Sequence, residues 1–385
     1  MVTSEDGTIV AVGTRAEIKA AFAPLPEERA EGALMPGLVN AHAHIELSVL
    51  AGRLPGGAGV PAWASQVARE LAPFSVEQRF DAAQRAARAA VSSGTAAVGD
   101  VGNTLLAVPA LAEVGLAGVV FHELLGSREA ATGDALADAE REHQEFLRSH
   151  AWPANLARVP APHALYSVGP ELLRRIFAAT ARAACPTSIH VAEGEDEIHL
   201  LADGTGRWAG ILAAMRIPAG ARTPGTSPLA YLESLGAFAG NHPPLLVHMV
   251  WASADDLALA KKHRAPVVLC PRSNLHIGGR LPDLPALLAA GLPLALGTDS
   301  LGSSPDLSLW GEMTTLTGHF PDLSPEIWLR SATAGGAAAL GLDALGALEP
   351  GKRPGILAVA LDDLQAPARS LLANAAPSVR WVIRP

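Results

Sequence analysis

The chain contains few cysteines, no cluster of basic residues and no long apolar run, and each shortage excludes a class of protein. Its 385 residues include only Cys185 and Cys270, which provide neither a disulfide framework nor a cysteine-based zinc site. The formal net charge is −9 and no run of Lys or Arg occurs, so we expect no nucleic acid and no anionic membrane as partner. No run of about 18 apolar residues predicts a membrane span.

The first residues, MVTSEDGTIVAVG, lack a basic segment followed by an apolar stretch, so we expect no signal peptide. The sequence therefore predicts a soluble cytoplasmic protein that acts on a small-molecule substrate. It gives no information on the oligomeric state, and a homodimer remains open.

Apolar residues are plentiful, and their distribution predicts an α/β fold. They make up 49% of the chain against 17% charged residues, which is enough for a large buried core. Short, nearly continuous apolar runs alternate with helical stretches, as expected for parallel strands covered by helices. The eight predicted strands are Leu38–Ile45, Ala96–Gly102, Leu116–Leu125, Arg158–Leu165, Thr187–Glu193, Leu245–Trp251, Pro266–Asn274 and Pro293–Ser300. The predicted helices include Val76–Ser92, Pro170–Ala184, Ala254–His263 and Asp283–Ala290.

This alternation favours a (β/α)8 TIM barrel over residues 35–345. An open doubly wound sheet is the alternative, but no Gly-rich phosphate loop follows the first strand. The chain ends, 1–34 and 346–385, predict a small composite β domain in which the strand Thr8–Gly13 pairs with Gly355–Leu361 and Val379–Ile383. The long segment Gly194–Ser227 is a candidate lid.

Polar residues lie at the C-terminal ends of several predicted strands, which is where a barrel enzyme carries its catalytic residues. His42 and His44 are two residues apart on the first strand, so both imidazoles point into the barrel. His190, His248 and Asp299 lie at the ends of the fifth, sixth and eighth strands. A single histidine of this kind is more often a core residue, but several together predict a metal site. Histidine nitrogens and a carboxylate suit zinc, or iron as the second choice, better than Mg²⁺ or Ca²⁺.

The segments PGLVNAHAH, HVAE, VHM, CPRSN and LGTDS, in this order, resemble the signatures of the amidohydrolase superfamily. They are most similar to its metal-dependent aminohydrolases and chlorohydrolases, and the resemblance covers nearly the whole chain. It implies that His42, His44, His190 and Asp299 bind the metal and that His248 lies beside the water that the metal binds. Many two-metal members of the superfamily carry a carboxylated lysine on the fourth strand. This chain has only Lys19, Lys261, Lys262 and Lys352, none on a predicted strand, which favours a single metal.

Glu193 points to deamination, because deaminases of this superfamily carry His-x-x-Glu at this place. A glutamic acid near the metal can deliver a proton to a ring nitrogen while Asp299 carries the proton of the water to the leaving amine. The alternative is a solvent-facing glutamate in an acidic stretch.

For the substrate, the resemblance is closest to the aminodeoxyfutalosine deaminases of menaquinone biosynthesis. The alternatives are hydrolases of S-adenosylhomocysteine, methylthioadenosine, guanine or triazines, and a non-catalytic binding protein. The candidate substrate contacts are Trp63, His163, Arg272 and Ser273, with Arg128 as a weaker one. For His163 and Trp63, simple packing is the alternative.

Overall fold

The computed structural model describes residues 1–22, 24–126, 134–217, 219–363 and 365–384. The strands are β1 Val2–Thr3, β2 Ile9–Ala11, β3 Ala33–Pro36, β4 Leu38–Ala43, β5 Thr95–Gly102, β6 Ala117–Leu124, β7 Leu156–Pro162, β8 Ser188–Val191, β9 Leu245–His248, β10 Val267–Leu269, β11 Leu294–Leu296, β12 Ile356–Val359 and β13 Val379–Ile383.

The α-helices are α1 Arg15–Ala21, α2 Val60–Leu71, α3 Val76–Ser92, α4 Val108–Val114, α5 Ala135–Ser149, α6 Pro170–Thr180, α7 Glu195–Asp203, α8 Gly206–Ala214, α9 Pro228–Ser234, α10 Ala254–His263, α11 Pro271–Gly278, α12 Leu284–Ala290, α13 Leu309–His319, α14 Pro325–Arg330, α15 Gly336–Leu340 and α16 Pro367–Leu371. Short 3₁₀ or π turns cover Ile45–Leu50, Ala219–Arg222 and Ser331–Gly335. No helix in the described part of the chain combines the length and the apolar character that a membrane crossing needs.

Strands β4 to β11 form a closed barrel of two parallel half-sheets. The first half has the order β4-β5-β6-β7 and the second has the order β8-β9-β10-β11. Parallel bridges join the halves at two seams, Ala43 with Asp299 and Ala164 with His190. All residues of β4 and β5 are buried, as expected for strands covered on both faces. The predicted (β/α)8 barrel is confirmed.

The small β domain is also confirmed, but one predicted pairing is wrong. Strand β12 pairs antiparallel with β13 and with β3, a strand that the sequence did not predict and that crosses the predicted boundary between residues 34 and 35. The predicted strand at Thr8–Gly13 is shorter and pairs with β1 instead. Among the described residues, two backbone hydrogen bonds, between Ile9 and residues 351 and 352, connect it to the C-terminal segment. The exact domain boundaries stay a prediction.

The predicted seventh strand is too long. The structure ends β10 at Leu269 and begins α11 at Pro271. A proline in the first turn has no N–H to lose and already has a helical φ, so it starts a helix here. Arg272 and Ser273 consequently lie on the first turn of a helix rather than at the end of a strand.

Candidate active site

Two buried histidines, one on β4 and one directly after it, stand at the centre of the barrel mouth. His42 is fully buried and His44 nearly so, and their ring centroids lie 4.9 Å apart. Neither ring nitrogen of His42 has a hydrogen-bond partner among the described residues. A buried polar atom without a partner costs free energy, so this ring is expected to bind a ligand.

His190 reaches the same point from β8. Its Nδ1 donates a hydrogen bond to the backbone oxygen of His163 at 2.9 Å, which leaves the lone pair of Nε2 free. That Nε2 lies 3.2 Å from the Nε2 of His44. The two rings therefore present their free nitrogens to a common point.

Asp299 closes the group from the end of β11. Its Oδ1 lies 3.6 Å from His44 Nε2 and 4.0 Å from His42 Nε2. Its Oδ2 accepts hydrogen bonds from Ser273 Oγ at 2.5 Å and Ser303 Oγ at 3.2 Å. One oxygen is thus anchored by serines and the other faces the histidines.

The electrostatics keep Asp299 ionised and the histidines neutral. Burial opposes ionisation of Asp299, but the nearby histidines, His44 first, and the Ser273 hydroxyl outweigh it and hold its pKa below the ordinary value. Burial lowers the pKa of the buried rings, for His248 to about 4. A carboxylate and neutral imidazoles are the protonation states in which these groups bind a metal.

This donor set fits one divalent transition metal. Two overlapping groups have ligand atoms within 4.8 Å of one another, namely His42 with His44 and Asp299, and His42 with His190 and His248. Imidazole nitrogens and a carboxylate suit zinc and neighbouring metals. A third group joins Glu123 and His163 to His190, but there the Nδ1 of His190 already donates to a backbone carbonyl.

Glu193 and His248 form a pair beside these ligands. Glu193 Oε1 lies 3.6 Å from His248 Nε2, and the Glu193 side chain is only 8% exposed, so the solvent-facing alternative is wrong. Burial raises the pKa of Glu193 well above its ordinary value, and the charges of Asp299 and Glu197 add to this. On its other side, His248 Nδ1 lies 2.9 Å from the side-chain amide nitrogen of Asn274.

The four candidate substrate contacts divide into two pairs. His163 lies beside His190, with ring centroids 4.9 Å apart, and Trp63 packs at the mouth on α2. Arg272 instead binds Glu312 Oε1 through its Nε at 2.7 Å and also contacts Asp306. The fully buried Ser273 donates to Asp299. Arg272 and Ser273 thus form hydrogen bonds with other side chains of the same chain. Arg128 lies outside the described residues.

Sequence reasoning missed two polar residues at the site, Asn274 and Glu123. Glu123 ends the apolar run of β6, and its Oε1 lies 3.6 Å from His190 Nδ1. Burial and then the charge of Glu46 raise its pKa to about 8. A charged residue closing an apolar strand is the same signal that identified His190, so Glu123 could have been found. Asn274 stands in the CPRSN segment, but its side-chain position depends on the helix α11 that was not predicted.

Comparison with known proteins gives consistent matches. The sequence model of the Amidohydrolase family matches residues 33–381. An aminodeoxyfutalosine deaminase of Deinococcus radiodurans is 32% identical over 343 residues, which cover 87% of this chain and 79% of that protein. A 5-methylthioadenosine/S-adenosylhomocysteine deaminase of Halobacterium salinarum is 29% identical over 382 residues, covering 94% of this chain and 80% of that protein.

Solved structures agree over nearly the full length. Helicobacter pylori aminofutalosine deaminase in complex with methylthio-coformycin superposes with a TM-score of 0.85 at 25% identity, covering 99% of this chain and 93% of that one. An adenosine deaminase of Xanthomonas campestris with bound zinc has a TM-score of 0.77 at 26% identity, covering 98% and 85%.

Proposed function

The chain belongs to the amidohydrolase family and is a hydrolase of carbon–nitrogen bonds, and we propose that it deaminates the adenine ring of a modified nucleoside. Water replaces the 6-amino group, and ammonia leaves. The observation that carries the proposal is the buried Glu193, which lies against His248 at the edge of the ligand cluster. Attack of water on an aminated ring carbon requires a proton at the adjacent ring nitrogen, and a buried glutamic acid beside the ligand cluster is placed to supply it.

His42, His44, His190 and Asp299 are the proposed ligands of one divalent metal, with zinc as the first choice and iron as the second. A metal held there would supply Lewis-acid activation of a water molecule near neutral pH. The metal itself is supported by the clustered donor atoms and by the zinc in a structural relative.

The chain's own residues divide the proton transfers. Burial raises the pKa of Glu193, which favours the protonated form, and this side chain is the proposed donor to the ring nitrogen. Asp299, ionised and anchored through Oδ2, is positioned to take a proton from the attacking water and to pass it to the leaving amine. His248, held by Asn274, orients the water and stabilises the charge that develops on it. One proton of the water leaves with the ammonia, and the other returns to Glu193 when the new hydroxyl becomes a carbonyl, so one water is consumed, one ammonia is released and the protons balance.

The proposed substrate is 6-aminodeoxyfutalosine, which would place the enzyme in menaquinone biosynthesis. The similarity to two aminofutalosine-type deaminases, one by sequence and one by structure, supports this choice. S-adenosylhomocysteine and methylthioadenosine are the second choice, at a similar level of identity. A cytoplasmic location and a homodimer also remain proposals.

A coupled ammonia assay tests the deaminase proposal. The purified, metal-reconstituted protein is incubated with aminodeoxyfutalosine, S-adenosylhomocysteine, methylthioadenosine, adenosine and guanine, and metal content is measured in parallel. We expect ammonia from at least one adenine nucleoside and about one metal per chain. Metal retention without ammonia from any aminated ring would contradict deamination, and absence of retained metal would favour a non-catalytic binding protein.

The variant Glu193→Gln tests the proton donor. It keeps the size of the side chain but cannot give up a carboxyl proton, so kcat should fall by about 10²- to 10⁴-fold. Metal content should not change. The matched control is Glu195→Gln, two residues further along and exposed to solvent, which should keep full activity. Equal activity in both variants would remove Glu193 from the mechanism.

A further inference from the structure

An apolar cluster covers the mouth of the barrel beside the proposed reaction centre, and we call it the mouth cluster. Its residues come from segments that follow different barrel strands, so they meet only in the folded protein. They are Val60, Trp63, Ala164, Tyr166, Leu200, Trp208, Leu212, Ile217 and Ile277. The segment Gly194–Ser227, the candidate lid, supplies four of them.

Two polar atoms inside this apolar cluster are unsatisfied. The indole nitrogens of Trp63 and Trp208 are buried and have no hydrogen-bond partner among the described residues, and Trp208 is only 8% exposed. In contrast, the indoles of Trp152, Trp310 and Trp381 donate to backbone oxygens at 2.7, 2.9 and 2.8 Å. A buried donor without an acceptor costs about 1–3 kcal/mol, so two of them in one cluster indicate that a ligand supplies acceptors.

Trp328 shows that an unsatisfied indole alone does not indicate a site. Its nitrogen also lacks a described partner, but Trp328 lies on α14 in the main core. What distinguishes Trp63 and Trp208 is that two such donors share one cluster at the barrel mouth. A ligand is therefore indicated by the position of the two indoles at the mouth together with their missing acceptors.

Ring contacts connect this cluster to the proposed metal ligands. The ring of Trp208 stacks on Tyr166 with centroids 4.0 Å apart, Tyr166 meets the edge of His163 at 5.6 Å, and His163 lies 4.9 Å from His190. Read in the opposite order, these ring contacts form a continuous row from His190 at the proposed metal site outward to Trp208. A nucleoside whose base lies against Glu193 would therefore extend its far end toward Trp208.

Arg207 fixes the position of its neighbour Trp208. Its guanidinium binds Asp196 through Nε at 2.9 Å and donates from Nη1 to the backbone oxygen of Ala58 at 2.6 Å. These contacts tie the start of α8 to α7 and to the loop after β4. The indole of Trp208 is therefore held in place before any ligand arrives, which lowers the entropy cost of using it as a donor.

We propose that the mouth cluster is the subsite for the part of the nucleoside furthest from the amino group, and that the N–H groups of Trp63 and Trp208 select there an apolar substituent carrying an oxygen acceptor. The acceptor is a carbonyl or a carboxylate. The apolar side chains bury the substituent, and the two donors discriminate against a substituent that leaves them unpaired. This inference rests on the proposed deaminase function, which it extends to the choice of substrate.

The variants Trp208→Phe and Trp63→Phe test it, because each keeps an aromatic ring and removes only the N–H donor and part of the ring area. They are compared on methylthioadenosine, which has no oxygen on its sulfur substituent, on S-adenosylhomocysteine, which has a carboxylate, and on aminodeoxyfutalosine, which has both a carbonyl and a carboxylate. We expect kcat/KM for the acceptor-bearing nucleosides to fall about tenfold relative to methylthioadenosine, mainly through KM. Comparison of the two acceptor-bearing substrates, with the carboxylate of aminodeoxyfutalosine esterified in a further arm, separates carboxylate from carbonyl.

Trp152→Phe is the matched control, since it also removes an indole donor but lies on the connection after α5, outside the mouth cluster. It should leave the ratio between substrates unchanged. Unchanged ratios in the Trp63 and Trp208 variants, with active wild type, would overturn the subsite and leave the deaminase proposal standing. If the wild type releases no ammonia, calorimetric titration with the same nucleosides decides: tryptophan-dependent selectivity would support the subsite and contradict only the reaction, and its absence would overturn both.

Discussion

The two halves of the barrel are built differently. Strands β4 to β7 of the first half are six to eight residues long, whereas strands β8 to β11 of the second half have only three or four residues. The second half also contains non-glycine residues in the left-handed region next to its strand ends, namely Ala192, His248, Met249 and Asp299, with φ between 50° and 78°. In the described first half, no residue other than glycine has a positive φ on a strand.

The two halves therefore differ in how their backbone positions side chains for the reaction. A left-handed conformation costs a non-glycine residue of order 1 kcal/mol or more, and such costs persist where the backbone must aim a side chain. His248 and Asp299 adopt it themselves, and Ala192 adopts it just before Glu193. In the first half, His42 lies near the end of β4 and His44 is the first residue after it, and both have negative φ, so neither needs the left-handed conformation to face inward. Apart from the proposed metal ligands His42 and His44, we therefore expect substitutions in the second half mainly to lower activity and those in the first half mainly to lower stability.

The largest effect is expected for Asp299→Asn. The amide keeps the shape but cannot accept the proton of the water and is a weaker metal ligand, so kcat should fall by about 10³- to 10⁴-fold, with metal content measured in parallel. The first-half counterpart is Asp100→Asn on β5, which is equally buried and accepts a hydrogen bond from the Ile45 backbone at 2.9 Å. Its amide oxygen can still accept that bond, so activity should change less than about tenfold. Equal losses of kcat in steady-state assays would contradict the division between the halves.

A smaller effect, and one on stability, is expected for Gly118→Ala in the first half. Gly118 of β6 has φ +147°, and a Cβ there would lie 1.9 Å from the backbone oxygen of Val98. Strand β5 or β6 must move, which should lower the free energy of unfolding by about 3–4 kcal/mol. Gly210→Ala is the control, because Gly210 lies inside α8 with nothing near its Cβ position, and alanine should be neutral or stabilising there. Denaturant unfolding measures both; no loss for Gly118→Ala would show that the first half tolerates distortion.

The smallest effect concerns the pH dependence of stability. Glu197 of α7 is buried and accepts a hydrogen bond from the Glu193 backbone, and burial raises its pKa from 4.5 to about 8. Between these values the folded state keeps a proton that the unfolded chain releases. The stability that this group contributes is therefore complete below pH 4.5 and is lost as the pH rises through 8. Glu197→Gln should flatten the fall in unfolding free energy between pH 5 and 9, whereas the exposed control Glu195→Gln should keep the wild-type slope.

The sequence predicted elements whose signals are local. Helices α3 and α10 have the predicted bounds, Val76–Ser92 and Ala254–His263, because each begins with a capping box, at Ser75 and at Ser253. The predicted ligands also lie together, since strand ends of a parallel barrel meet at one face whatever the details of the connections. These parts of the prediction required only short-range patterns and the topology of the fold.

The misses depend on contacts between distant residues. Whether Thr8–Gly13 pairs with β1 or with the C-terminal strands is decided by packing, because both partners are short apolar strands. The end of β10 was missed because the apolar run continues through Cys270 into α11. The partners of Arg272 and Ser273 could not be read from the sequence, since Glu312 and Asp299 are far along the chain and reach them only once α11 and α13 have folded.

The seams between the half-sheets give the proposed metal a second consequence. Ala43, bridged to Asp299, lies between His42 and His44 on one side of the first seam, and His190 lies on the second seam. An ion bound by these residues would connect the two half-sheets, and it would bind the folded chain but not the unfolded one. By mass action, a free metal concentration a thousand times the dissociation constant would add about 4 kcal/mol to the folding free energy. The free metal concentration in the cell would then determine the stability of the folded barrel as well as its activity.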